Sequence, residues 1–178
     1  MDKNAIKKFA VDARKQLINS VKDKAGMLGI TANGCAKPDE KGEKDDYEIY
    51  KTIAGTDHKI FNAEMEKRRT LVARINAVGY DTVIEEVAYT WFNRLIAIRY
   101  MEVNDYLPTR VRVLSSASGK TEPDIVTVAP DVDFNFNDSD REEIYRLKGS
   151  NLPADINQLF VKLFIMQCDR LAEILPEL

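Results

Sequence analysis

The chain has 178 residues, enough to bury one ordinary core, with 44% hydrophobic and 31% charged residues, the balance of a globular protein. A net charge of -3 and a pI near 5.4 exclude binding to nucleic acid by bulk charge. No run of about 18 residues is both apolar and free of charge, which excludes a helical membrane span. The charge is unevenly placed: residues 1–30 hold seven Lys or Arg against three Asp, and residues 121–145 hold eight acids against one Arg.

The opening MDKNAIKKFAVDARK is charged throughout and lacks the apolar stretch of a signal peptide. Cys35 and Cys168 lie far apart and outside any CxxC, so reduced thiols in a cytoplasm are expected. The spacing predicts an amphipathic helix over 4–25. At 100° per residue, Ile6, Phe9, Ala10, Ala13, Leu17 and Val21 share about one third of its circumference. Lys7, Lys8, Arg14, Lys15 and Lys22 collect on a neighbouring arc. That arc is either an ordinary solvated face or a stripe turned toward phosphates. Gly26, Gly29 and Gly34 break the pattern, and the stretch 31–46, rich in Gly, Pro and charge, predicts a flexible surface loop. Tyr47 to Ile53 is short, and its period suits a helix or a strand. His58, the only histidine, falls in the predicted loop that follows. One His and two scattered Cys argue against a zinc site, and no nucleophile elbow stands nearby.

A second helix is predicted over 62–77, with Asn62 as its N-cap. Met65, Leu71, Val72 and Ile75 face inward, and Lys67, Arg68, Arg69 and Arg74 make it basic. Gly79 suits its C-cap, and Asp81 suits the cap of the next helix, over 82–103. That helix contains most of the longest apolar run, YTWFNRLIAIRYMEVNDYL (89–107), with the only Trp, Trp91. Ile84, Val87, Ala88, Trp91, Leu95 and Ile98 form its apolar arc; Val83, Phe92, Ile96 and Met101 widen it, so burial on most sides is expected. Arg94 and Arg99 project into that arc or onto its edge. Buried guanidinium groups need partners, and Glu102 stands three residues after Arg99 on the same helix. Arg94, Arg99 and Glu102 are therefore expected in structural ion pairs, with a partner domain or ligand as the alternative.

Pro108 confirms the helix stop. Val111 to Leu114 and Ile125 to Val128 are strand candidates for a small hairpin. Between them, Ser118-Gly119-Lys120-Thr121 is no P-loop: Leu114 stands where the first Gly is needed, and Glu122-Pro123 follows instead of a helix. The acid-rich segment from Asp131 to Asp140 fails as a calcium loop, because the sixth position is Phe136 or Asp138 rather than Gly. It reads as the lead-in to a helix over 139–148, capped by Ser139 and Glu142 and closed by Gly149. The last helix, over 153–174, opens on Pro153 and places Cys168 as a core thiol. The chain stops at Leu178, soon after Leu175-Pro176, as a piece of something longer would. The expected fold is mainly α, about five helices with a small β-hairpin, in a single domain over 1–178. No acid, base and nucleophile converge, so no catalytic, cofactor-binding or metal residue is assigned.

Three blocks carry a resemblance. AYTWFNRLIAIRYMEVNDYL (88–107), NQLFVKLFIMQCDRLAEILPEL (157–178) and NAIKKFAVDARKQLINSVKDKAGMLGI (4–30) resemble, in the same order, the N-terminal region of the BREX adenine-specific DNA methyltransferases, called PglX. The resemblance implies a parent that uses S-adenosylmethionine to methylate the N6 amino group of adenine in phage defence. The Asn-Pro-Pro-Tyr type signature that holds the flipped base in such enzymes is absent here, as is a glycine-rich methyl-donor loop. The implied role is a non-catalytic N-terminal helical domain, without cofactor of its own. Its implied partners are the methyltransferase core of the same polypeptide, double-stranded DNA and other BREX proteins. The candidate DNA surface is Lys7, Lys8, Arg14, Lys15 and Lys22 with Arg68 and Arg69. The alternative is a protein-interaction module, using an exposed apolar patch or the acidic segment 121–145.

Overall fold

Helices carry most of the chain, as its periodicity requires. The computed structural model describes residues 2–41, 46–52, 54–132 and 134–174, and the chain divides into two units, Met1–Phe92 and Asn93–Leu178.

The first unit opens with α1 (Lys3–Met27). The Asp2 carboxylate accepts from the Asn4 N–H at 2.9 Å and so satisfies one of the orphan donors of the first turn. Gly29 follows the helix at φ +66°, and a Cβ there would lie 3.0 Å from Ala36 Cβ and 3.1 Å from the Tyr50 ring. Backbone hand and close packing both demand glycine. The chain then forms a hairpin of β1 (Ile30–Thr31) and β2 (Gly34–Cys35). An antiparallel sheet follows in the order β3 (Glu40–Lys41), β4 (Tyr47–Lys51), β5 (Asp57–Phe61). The stretch read as a loop over 31–46 thus contributes to two small sheets; its residues 42–45 lie outside the described residues, as does Ile53. In β4, Glu48 and Tyr50 are buried and alternate with less buried neighbours, the period of a strand. His58 stands in β5 opposite Tyr50, not in a loop.

Helix α2 (Asn62–Val78) begins at Asn62 rather than after it. The cap position is Phe61, whose N–H is met by the Glu64 carboxylate at 3.4 Å. Gly79 ends the helix at φ +93°, donating to the Ile75 carbonyl at 2.8 Å. Helix α3 (Tyr80–Val103) starts immediately afterwards. Ala25, Ile30, Ile75, Val83 and Ile84 form one core cluster of this unit, and Tyr50, Ile60 and Met65 form another.

The second unit takes over α3 from Asn93. Ile98 and Glu102 are almost fully buried, but Ile96, from the arc expected to face inward, is 43% exposed and Val103 is 61% exposed. The expected burial on most sides is therefore corrected: the helix carries more apolar residues than its neighbours cover. The hairpin expected over 111–128 is also absent, and the hairpins of the fold lie before α2. The N–H groups of Val113 and Leu114 donate to Glu102 Oε2 at 2.8 and 2.7 Å, so they are not offered to a strand. Residues Asp124–Thr127 form a single helical turn, α4, followed by a 3-10 turn over Ala129–Asp131. The Asp124 carboxylate folds the preceding loop onto it, accepting from Ser116 Oγ at 2.7 Å and from the Ala117 N–H at 2.8 Å.

Helix α5 (Asp138–Ser150) is capped by Asn137, whose side chain accepts from the Asp140 N–H at 2.8 Å, rather than by Ser139. It runs past Gly149 and ends at Asn151, φ +53°, a conformation that Asn tolerates through local hydrogen bonding. Helix α6 (Pro153–Ile174) packs along α5, with Ile144, Leu147, Leu159 and Leu163 almost wholly buried. Lys162 reaches back from α6 to Asp140 and Glu143, each at 2.7 Å.

Cys168 is 4% exposed. Burial pushes its thiol up to about 11, despite the opposing charge of Arg94. Thiolate is the reactive form, so at pH 8 a thiol reagent is expected to modify Cys35 in the folded chain and Cys168 only after denaturation. Equal reaction rates for the two in the folded protein would contradict that burial.

Candidate nucleic-acid interface on the first helix

Twenty-five residues at 1.5 Å of rise make α1 about 37 Å long. Only its C-terminal part packs firmly. Ala25 and Gly26 are buried, and Ile18 and Val21 lean on the core cluster. Ile6 and Phe9, on the apolar arc further forward, are 44% and 58% exposed.

The basic arc adjoins the packed edge of the helix. Residues seven apart nearly superimpose in projection and lie about 10.5 Å apart along the axis, which aligns Lys8, Lys15 and Lys22, and beside them Lys7 and Arg14. Two of the five meet acids of α3: Arg14 reaches Glu85 at 3.1 Å, and Lys22 stands 4.0 Å from Asp81. Lys7, Lys8 and Lys15 are exposed and make no ion pair among the described residues.

On α2 the two predicted arginines part company. Arg69 is at the surface, 3.4 Å from Glu66 and 3.7 Å from Glu48. Arg68 is 7% exposed. Its Nε donates to the Leu28 carbonyl at 2.8 Å, its Nη2 to the Ala36 carbonyl at 2.7 Å, and its guanidinium lies 3.8 Å over the Tyr50 ring. The Tyr50 hydroxyl donates to Glu48 at 2.6 Å; burial, then that carboxylate, pushes its pKa up to about 12. The seven candidate cations therefore fall into three groups: Lys7, Lys8 and Lys15 open to solvent, Arg14, Lys22 and Arg69 paired at the surface, and Arg68 turned inward.

The three residues expected in structural ion pairs lie in the second unit. Arg99 Nη1 donates to Glu102 and, at 3.0 Å, to Ser115 Oγ, yet its side chain is 51% exposed. Glu102 also accepts from Ser115 Oγ at 2.5 Å. Burial raises its pKa, but Ser115, the Leu114 N–H, Arg99 and the Val113 N–H together hold it below the ordinary carboxylate value. Arg94 has no ion pair among the described residues, and its buried Nε has no hydrogen-bond partner there.

The acidic segment is largely occupied from within. Glu122 binds Lys148 at 3.0 Å, Asp124 folds the 115–117 loop, and Asp140 and Glu143 hold Lys162; Asp133 lies outside the described residues. Sequence reasoning missed the bonds of Asp124 and Lys162, because the first ties a helical turn to the loop before it and the second ties α6 to α5. Among the described residues no three His, Cys, Asp or Glu side chains converge as a metal site, and no helix is long and apolar enough to cross a membrane.

No family model matches the chain. It is 42% identical over 190 aligned positions, covering all of the chain, to the adenine-specific methyltransferase PglX of Lacticaseibacillus casei (strain Zhang). It is 32% identical over 179 positions, 99% of the chain, to the adenine-specific methyltransferase BrxX of Escherichia coli O9:H4 (strain HS). The chain spans 15% and 14% of the length of these two relatives. The resemblance read from the three sequence blocks thus holds along the whole chain, and it is a resemblance to one region of much longer proteins.

Proposed function

We propose that the chain is the non-catalytic N-terminal helical domain of a BREX-type N6-adenine DNA methyltransferase, active in the cytoplasm in phage defence. In this reading it serves as a scaffold for the methyltransferase core and touches double-stranded DNA through α1. The observation that carries it is the full-length match to a small share of two adenine-specific methyltransferases. No Asn-Pro-Pro-Tyr signature occurs in these residues, so base capture and S-adenosylmethionine binding fall to the remainder of the parent polypeptide. What this region offers DNA is positive charge at intervals along an exposed helix. Phosphate contacts of that kind position a protein without reading sequence.

Three open lysines set the expected size of the effect. Each phosphate neutralised contributes about -0.9 to the slope of log K against log salt, so Lys7, Lys8 and Lys15 account for about -2.7 of it. Binding to a duplex is expected at 50 mM salt. Replacing all three lysines with alanine is expected to make the slope shallower by that amount, equally for unrelated sequences. No binding at low salt, or a slope indifferent to the triple replacement, sinks the DNA role.

A second reading, a module that docks on the methyltransferase core or on another BREX protein, is favoured by the exposed apolar residues Ile6 and Phe9. It predicts that the triple replacement leaves assembly of the full polypeptide unchanged, whereas changes on the apolar arc disturb it.

A further inference from the structure

An apolar cleft of about 320 Å³ opens in the first unit between α1, α2 and the start of α3. Leu17 and Val21 form one wall, and Leu71, Ile75, Val87 and Trp91 form the other. A cleft of that volume admits several waters, but its lining offers them few hydrogen-bond partners: Ser20, Lys24 and the Trp91 indole are the lining side chains with a polar group. The cleft does not end where its walls do. Ile6 and Ala13 project onto the same arc of α1 as Leu17, and Ile6 and Phe9 are exposed. Cleft and strip together run from Ile6 to Lys24, about 27 Å at helical rise. That is the length of a five-turn helix, and its walls are apolar as a helix-in-groove seat requires.

We propose that this cleft and the apolar strip that prolongs it seat an amphipathic helix contributed by the remainder of the methyltransferase polypeptide. Three observations select that occupant. The chain spans only about 15% of the relatives it matches, and a segment tethered on the same polypeptide competes at high effective concentration against any free partner. The seat is linear, with the dimensions of a helix rather than of a compact ligand. Lys24 lines the cleft, and Lys3 projects along the same margin of the strip as Val21, so the occupant is an apolar-faced helix with acid on that side. The inference rests on the reading of the chain as one region of a methyltransferase. That reading is decided separately, by adenine methylation with the unmodified full polypeptide.

The test uses the full polypeptide with a photo-crosslinking residue at position 9. Phe9 is 58% exposed, so this change leaves the unit's own core intact. The expected product is an intramolecular crosslink to a helical peptide beyond residue 178. A crosslink between two copies, or none at all, overturns the proposal even if methylation is normal. Hydrogen exchange supplies a second reading: the α1 amides over 6–16 are expected to exchange at least tenfold more slowly than amides of an open helix. Phe9→Glu, which keeps a helix-forming residue, is expected to abolish that protection. Fast exchange in the unmodified polypeptide, or protection that survives Phe9→Glu, counts against the seat.

Discussion

Replacing Glu102 with alanine is expected to destabilise the chain by about 3–5 kcal/mol, the cost typical of removing one partner from a buried charge network. Glu102 is 2% exposed. Its two oxygens accept from the N–H groups of Val113 and Leu114, from the Ser115 hydroxyl and from Arg99. Val113 is itself wholly buried, so its N–H has no water to turn to once the carboxylate is gone. Arg99→Ala leaves the carboxylate its three neutral donors, the Val113 and Leu114 N–H groups and the Ser115 hydroxyl, and removes a cation that is half exposed, so it is expected to cost only about 1 kcal/mol. Urea midpoints of the two variants measure the difference. If Glu102→Ala costs no more than Arg99→Ala, the carboxylate does not organise the 113–115 loop.

The same carboxylate sets an acid limit. The folded pKa of Glu102 is held below its ordinary value of 4.5, and that of Asp124 is held below 3.8 by the Ala117 N–H and the Ser116 hydroxyl. A depressed folded pKa stabilises the folded state above the unfolded pKa. That contribution fades as pH falls below 4.5 for Glu102, and it is lost once pH has passed the folded value. Glu102→Gln removes this part of the acid dependence along with about 2 kcal/mol at neutral pH, since hydrogen bonds to a charged acceptor are the stronger kind.

These carboxylates also show where the sequence could be read and where it could not. The helices were legible because their cores repeat at helical spacing: Ile75, Val83 and Ile84 in the first unit, and Cys168 in the second, are buried as their spacing implied. The Gly79 cap was legible for a similarly local reason. The segment 111–128 was not. Val111 to Leu114 and Ile125 to Val128 have strand composition, but the Glu102 carboxylate takes up the Val113 and Leu114 N–H groups that a ladder needs, the Val126 and Thr127 N–H groups turn back to the Pro123 carbonyl, and that pairing leaves no periodic trace. The basic arc of α1 was visible in projection. Its division was not, because Glu85 and Asp81, which occupy Arg14 and Lys22, stand about 60 to 70 residues further along the chain and obey no spacing rule.

Arg68 is the clearest case of a charge whose place no local rule gives, and its replacement is the second large effect expected. Sequence adjacency set it beside Arg69 on a basic helix; packing turned it inward. Its guanidinium meets the carbonyl of Leu28, at the C-terminal cap of α1, and that of Ala36, just past the β1–β2 hairpin. It therefore satisfies acceptors on two segments from a third, α2, and adds a cation at the negative end of a helix dipole. Stacking over Tyr50 covers its flat face. Hydrogen bonds involving a charged group contribute about 1.5–3 kcal/mol each and a desolvated cation–π contact about 2; these overlap, and a loss of about 3–4 kcal/mol is expected for Arg68→Ala. Arg68→Lys is expected to recover less than half of it, because an ammonium neither forks between two carbonyls nor stacks as a plane. Both values are read from denaturant midpoints with Arg69→Ala as the surface control, expected within about 0.5 kcal/mol of the unmodified chain. Full rescue by lysine would mean that charge alone matters at this position. A loss for Arg69→Ala as large as for Arg68→Ala would mean that burial does not separate the two arginines.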